Sequence, residues 1–134
     1  MLGKLNHIAI AVPNLNNAIN TYQNILDVKI GEQIEQPLHG VKVAFIELPN
    51  AKIELLEPLG DNSPIIKFLQ KNKNGGIHHV CYEVKDIIKS RNQILKNGGK
   101  VAGSIEPRIG AHGKLVIFLH PENFNGTLIE LEQI

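Results

Sequence analysis

Residues 6–12 alternate as a strand does, with Ile8, Ile10 and Val12 on one face and His7, Ala9 and Ala11 on the other. The β-branched face reads as core. The second face sets a histidine beside two small residues and reads as a floor with room for a ligand. Pro13-Asn14 closes this strand, and Leu15, Ala18, Ile19, Tyr22 and Leu26 then recur at helical spacing, predicting an amphipathic helix of roughly three turns. A second strand is expected over 28–34 and a turn-rich break over 36–40. A third strand over 41–48 reverses at Pro49-Asn50 into a fourth over 51–56. Ser63-Pro64 is a helix-start signal with proline at the first helical position, so a short connecting helix is expected over 65–71, ending by Gly75-Gly76. The plan then recurs. A strand over 77–84 leads to a helix over 87–95, capped by Asp86 and stopped by Gly98-Gly99, and strands follow over 100–102, 114–119 and 127–132.

The recurrence is visible in the residues themselves. Asn6-His7-Ile8-Ala9-Ile10 aligns with His78-His79-Val80-Cys81-Tyr82 at an offset of 72 residues, and Phe45 to Pro49 aligns with Ile117 to Pro121 at the same offset. After four extra residues in the second copy, Ile53-Glu54-Leu55 matches Ile129-Glu130-Leu131. The expected fold class is therefore α+β, built of two tandem βαβββ modules over about 4–60 and 76–134 with a connector over 61–75. Units of ~65 residues are marginal alone, so the modules are expected to share one core as a single domain.

Each copy contributes one histidine and one glutamate at matching places. Taken alone, His7 would ordinarily be a partly buried strand residue, but two unrelated core histidines have little reason to recur at equivalent positions. Alternation places Glu54 with Lys52 and Leu56, and Glu130 with Leu128 and Glu132, so parity lets His7, Glu54, His79 and Glu130 face one surface. This set reads as a metal site made by both halves. His78 points to the opposite face from His79 and reads as a structural hydrogen-bonder or a residue supporting a ligand, rather than as a ligand itself. His120 reads as a turn support before its proline, His39 as a turn residue, and Cys81 as a buried small hydrophobe.

Composition narrows the function classes. The 134 residues are 43% apolar, and 14 basic and 13 acidic residues leave a net charge of +1, mixed along the chain. No electrostatic footprint for nucleic acid or a membrane surface emerges. One cysteine excludes an internal disulfide and suits a reducing compartment. No run approaches membrane-spanning length, and the expected location is the cytoplasm.

The strings LNHIAIAV, AKIELLEPLGDNSPI, FLQKNKNGGIHHV, RIGAHGK, VIFLHP and GTLIELEQI, in that order and spacing, resemble the methylmalonyl-CoA epimerases of the vicinal oxygen chelate superfamily over almost the whole chain. The similarity is greatest to the animal-type branch, which also carries the GAHGK loop. The resemblance implies a glyoxalase/bleomycin resistance/dioxygenase-like fold, a curled mixed sheet around a divalent metal. It implies His7, His79 and Glu130 as ligands with Glu54 at a fourth position that is Gln in some bacterial members. It further implies cobalt, a methylmalonyl-CoA substrate and a homodimer. Some relatives use a glutamate two residues after a Gly-Val pair as one catalytic base, whereas Gly40-Val41-Lys42-Val43 offers valine.

The implied reaction removes a weakly acidic proton beside a thioester and returns it on the other face. A Lewis acid on the oxygen that gains charge lowers that barrier, and orientation lowers it further. Imidazole and carboxylate donors also suit Mn, Ni, Fe(II) or Zn. The family places Glu130 as the base on one face. For the other, the choice lies between Glu47, which shares parity with Val43, and His112, ranked first because flanking Gly110 and Gly113 would let its loop move over substrate. Rival readings are a glyoxalase I-type lyase acting on a glutathione hemithioacetal, an Fe(II) extradiol dioxygenase, and a metal-free small-molecule binding protein of the same fold.

Overall fold

The computed structural model describes the whole chain, Met1 to Ile134. In order, the elements are β1 (Leu5–Ala11), α1 (Leu15–Leu26), β2 (Ile34–Gln36), β3 (Val41–Glu47), β4 (Lys52–Pro58), α2 (Ile66–Lys71), β5 (Gly76–Val84), α3 (Ile87–Lys96), β6 (Val101–Ala102), β7 (Arg108–Ile109), β8 (Leu115–Leu119) and β9 (Leu128–Gln133). The class is α+β, and the strand-helix-three-strand series occurs twice, with the small β7 added to the second. The chain divides into two compact units, one of Ile8–His78 and one of Met1–His7 with His79–Ile134. No helix is long and apolar enough to cross a membrane.

Within Ile8–His78 the strand order is β2-β3-β4-β1, and β3 runs antiparallel to both β2 and β4. The expected first helix is α1. The Asn14 side chain accepts the Asn17 N–H at 2.9 Å, satisfying an N-terminal donor, and Leu15 buries against Ala44, Ile46 and Leu55. The apolar stripe stops short of its predicted end, since Ile25 and Leu26 are exposed. Residues 28–33 do not form the expected strand. Val28 and Ile30 pack on the Leu15 cluster, but the backbone joins β3 there through Gly31 N–H to the Phe45 carbonyl at 3.0 Å, and the ladder begins at Ile34. Burial was legible in their side chains, and strand pairing was not.

The expected room over Ala9 and Ala11 is filled. Both are fully buried against Val41, Val43, Leu56 and Ile65, while Ile8 and Ile10 on the other face are half-buried. Small side chains here permit close packing. Ser63 does not cap α2, because its buried hydroxyl has no hydrogen-bond partner and Ile65 occupies the cap position. Gly75 is required at its place, with φ at +88° and a Cβ that would lie 2.4 Å from the Ala11 carbonyl oxygen.

In the other unit the order is β1-β5-β9-β8-β6, with β7 on β8. The sheet is mixed: β5 is parallel to β9, and β8 is antiparallel to β9, β6 and β7. Asp86 caps α3 as expected, accepting the Lys89 N–H at 2.9 Å. Register divides β9 into two faces. Ile129 and Leu131 join Val84, Ile87, Ile117 and Leu119 in an apolar core, while Glu130 and Glu132 point the other way with Cys81, Glu83 and Phe118. A strand buried on both faces, one apolar and one acidic, is what builds the site.

Leu131 is fully buried at the middle of this core. Leu131→Ala is expected to lower the unfolding free energy by about 2–5 kcal/mol, whereas Ile25→Ala, at an exposed helix end, should stay within about 0.5 kcal/mol of wild type. Urea titration of both variants reads the difference. A loss below about 1 kcal/mol at Leu131 would contradict the packing described for β9.

Candidate metal centre

Three of the sequence-derived candidates meet inside the unit of Met1–His7 and His79–Ile134. His7 lies on β1, His79 on β5 and Glu130 on β9, and all three are buried. His7 Nε2 and His79 Nε2 are 3.3 Å apart, and Glu130 Oε2 lies 3.2 Å from the first and 3.0 Å from the second. The edge of Phe118 packs against His79, with ring centroids 5.4 Å apart and planes at 89°. Cys81 is fully buried on the same strand face as His79, and its sulfur lies within 4.8 Å of the donor atoms of His7 and Glu130.

The tautomer of His7 follows from its neighbours. The Asn6 amide nitrogen donates to Glu83 Oε1 at 3.2 Å and to Glu132 Oε1 at 3.3 Å, and two carboxylates can only accept. The Asn6 carbonyl oxygen must therefore face His7 Nδ1, 2.7 Å away, so Nδ1 carries the proton. In the neutral imidazole the Nε2 lone pair then points at the Glu130 carboxylate. A further proton or a cation would relieve that opposition. Burial alone would raise the Glu130 pKa, but hydrogen bonds and charge from His7 and His79, the rings carrying the further proton, outweigh it and hold the carboxyl well below the usual carboxylate range. Two imidazoles and an ionised carboxylate converging in this way form a buried cluster able to hold a metal ion.

Asn6 and Glu132 escaped the sequence reading as participants. Glu132 is almost wholly buried, and besides Asn6 it accepts from His112 Nδ1 at 2.9 Å. Its signal was its parity with Glu130 on β9. The GAHGK loop is a tight hairpin turn joining β7 to β8: Gly110 N–H donates to the Lys114 carbonyl at 2.8 Å, and Gly113 N–H to the Gly110 carbonyl at 3.0 Å. Gly113 takes a left-handed φ of +73°, and a Cβ on Gly110 would lie 2.7 Å from a Val116 methyl. Turn geometry and packing account for these glycines. His112, half-buried in the turn, turns its ring edge-on toward His7 with centroids 6.0 Å apart.

The remaining candidates belong to Ile8–His78. Glu54 is buried on β4, opposite Phe45 of β3, and Glu47 shares that face but is exposed at the end of β3, opposite Lys52. Among the other histidines, His78 packs edge-on to Phe68, and His120 accepts the Glu122 N–H, the turn support its position suggested.

The family model of the Glyoxalase/Bleomycin resistance protein/Dioxygenase superfamily matches residues 6–118. The chain belongs to this superfamily. It is 58% identical over its full length, and over the full length of the relative, to an ethylmalonyl-CoA/methylmalonyl-CoA epimerase of Cereibacter sphaeroides. It is 54% identical over 132 residues to the mitochondrial methylmalonyl-CoA epimerase of Homo sapiens, covering 98% of this chain and 74% of that one. A solved methylmalonyl-CoA epimerase in complex with methylmalonyl-CoA and NH4+ superimposes with a TM-score of 0.90 at 28% identity, covering 99% of this chain and 95% of the other.

The cluster makes a quantitative demand on its surroundings. His79→Ala should abolish stoichiometric Co(II) binding in an equilibrium titration, and Asn6→Ala, which frees the His7 ring, should weaken it by about 10–100-fold. Wild-type affinity in Asn6→Ala would contradict the tautomer argument.

Proposed function

We propose that this protein epimerises 2-alkylmalonyl-CoA thioesters, with methylmalonyl-CoA as the principal substrate, at a metal centre of His7, His79, Glu130 and Glu54. The observation that carries the reading is the convergence of His7 Nε2, His79 Nε2 and Glu130 Oε2 within 3.3 Å. Identity of 58% and 54% to relatives named as epimerases supplies the reaction. One of those names covers ethylmalonyl-CoA as well as methylmalonyl-CoA, which supports a substrate class broader than one alkyl group. Burial of an acid on β4 supports Glu54 as fourth ligand, on the face that Val43 and Leu56 share. That is also the face against which Ala9 and Ala11 pack, and His7 is the preceding residue of their parity along β1.

When bound, a divalent ion supplies Lewis acidity to the substrate oxygen that gains charge as C2 loses its proton. Cobalt is the metal this reading adopts, and Mn, Ni, Fe(II) and Zn suit the same donors. The chain's own residues do the rest. His7 and His79 hold fixed rings, His7 through Asn6 and His79 against Phe118. Glu130 takes and returns the C2 proton on one face, and His112 does so on the other. His112 is preferred to Glu47 because a buried carboxylate fixes its ring, whereas Glu47 lies exposed at a strand end. The reading includes two modules working as one domain, a homodimeric assembly and a cytoplasmic location.

Incubation of the cobalt-loaded protein with methylmalonyl-CoA in deuterated water tests the reading. Deuterium is expected to enter C2, to stop entering after chelation and to resume on adding Co(II). Exchange indifferent to the chelator would contradict Lewis-acid assistance, and no exchange at all would overturn the epimerase reading.

A further inference from the structure

A second buried acid stands behind the proposed base. Glu132 is 2% exposed on the polar face of β9, and each of its oxygens has a partner. Oε1 accepts from Asn6 at 3.3 Å and Oε2 from His112 Nδ1 at 2.9 Å. Because the carboxylate accepts, His112 Nδ1 donates, and in the neutral ring the lone pair sits on Nε2. The Asn6 amide bridges from Glu132 to Glu83 and, through its oxygen, to His7. One side chain thus sets the ring of His7 and braces the carboxylate that sets the ring of His112. The backbone beneath is equally fixed: His112 occupies a tight hairpin turn closed by Gly113 N–H to the Gly110 carbonyl, and Val116 of the same hairpin pairs in register with Glu132.

We propose that Glu132 is the positioning residue of the second base, holding His112 in the Nδ1–H tautomer so that Nε2 can take the C2 proton. This deepens the epimerase reading and rests on it. In the step, the C2–H bond breaks, its electron pair passes into the thioester as an enolate, and the proton forms a new N–H bond at His112 Nε2. Glu132, without changing its own protonation, lies against the imidazolium so formed. A proton delivered from solvent by way of Glu130 to the opposite face of C2 completes inversion, and loss of the His112 proton to solvent resets that base. The arrangement follows the logic by which a buried carboxylate orients a catalytic histidine in serine hydrolases, where the isosteric amide selects the wrong tautomer.

Two measurements test this separately. The first is nitrogen-detected NMR of the His112 ring in the metal-free protein. Wild type is expected to show the Nδ1–H tautomer, and Glu132→Gln, whose amide can donate to Nδ1, the Nε2–H tautomer. An Nε2–H tautomer in wild type, or no change in Glu132→Gln, would overturn the positioning role whatever the reaction. The second follows C2 deuteration of each methylmalonyl-CoA epimer with cobalt-loaded Glu132→Gln and His112→Ala. Each base serves one face, so both variants should keep exchange of one epimer within a few-fold of wild type. They should lose exchange of the other epimer, and interconversion, by on the order of 10²- to 10⁴-fold. Wild-type interconversion in Glu132→Gln, or equal loss for both epimers together with loss of bound cobalt, would show Glu132 to be only structural. A wild-type protein that exchanges neither epimer would instead overturn the epimerase reading, leaving the NMR result to decide the tautomer.

Discussion

Two imidazole nitrogens and a carboxylate oxygen converge on one buried point. His7 Nε2 faces His79 Nε2 at 3.3 Å and Glu130 Oε2 at 3.2 Å, while its other nitrogen is committed to Asn6. Burying charged and polar groups is unfavourable, so the surrounding structure must hold them there. It does so with the apolar face of β9. Ile129 and Leu131 anchor the strand in its core, and alternation then forces Glu130 and Glu132 to the other side.

From this two-faced strand the chemistry extends in both directions. Glu130 answers to the histidines of β1 and β5, and Glu132 to His112 in the hairpin between β7 and β8. Asn6 joins the two acids' environments, since its oxygen serves His7 and its nitrogen serves Glu132. The geometry of the proposed ligands and that of the proposed base are therefore not independent. A change that tilts Asn6 reaches both, which is the physical reason for treating the polar face as one network.

Local signals in the sequence were reliable where the cause was local. Asn14 and Asp86 cap the helices that their spacing predicts, because a cap needs only neighbouring N–H groups. The doubled histidine-glutamate pattern foretold the cluster of His7, His79 and Glu130, since equivalent strand positions repeat a side chain's direction. What depended on pairing was hidden. Val28 and Ile30 carry strand-like alternation but lie outside any ladder, and Ser63 has the look of a cap yet makes no side-chain hydrogen bond. Glu132 could be placed on Glu130's face by parity, but only the register of β9 with β5 and β8 shows that face to be buried. The glycines of the 110–113 turn serve a tight turn and the close approach of Val116, which only the pairing of β7 with β8 makes visible.

Anomalous diffraction from crystals grown with Co(II), recorded on either side of the cobalt edge, addresses the central claim most directly. A single strong peak enclosed by His7 Nε2, His79 Nε2 and Glu130 Oε2 is the expected result. A protein that takes up no cobalt there, or carries it elsewhere while these three side chains keep their mutual distances, would contradict the account.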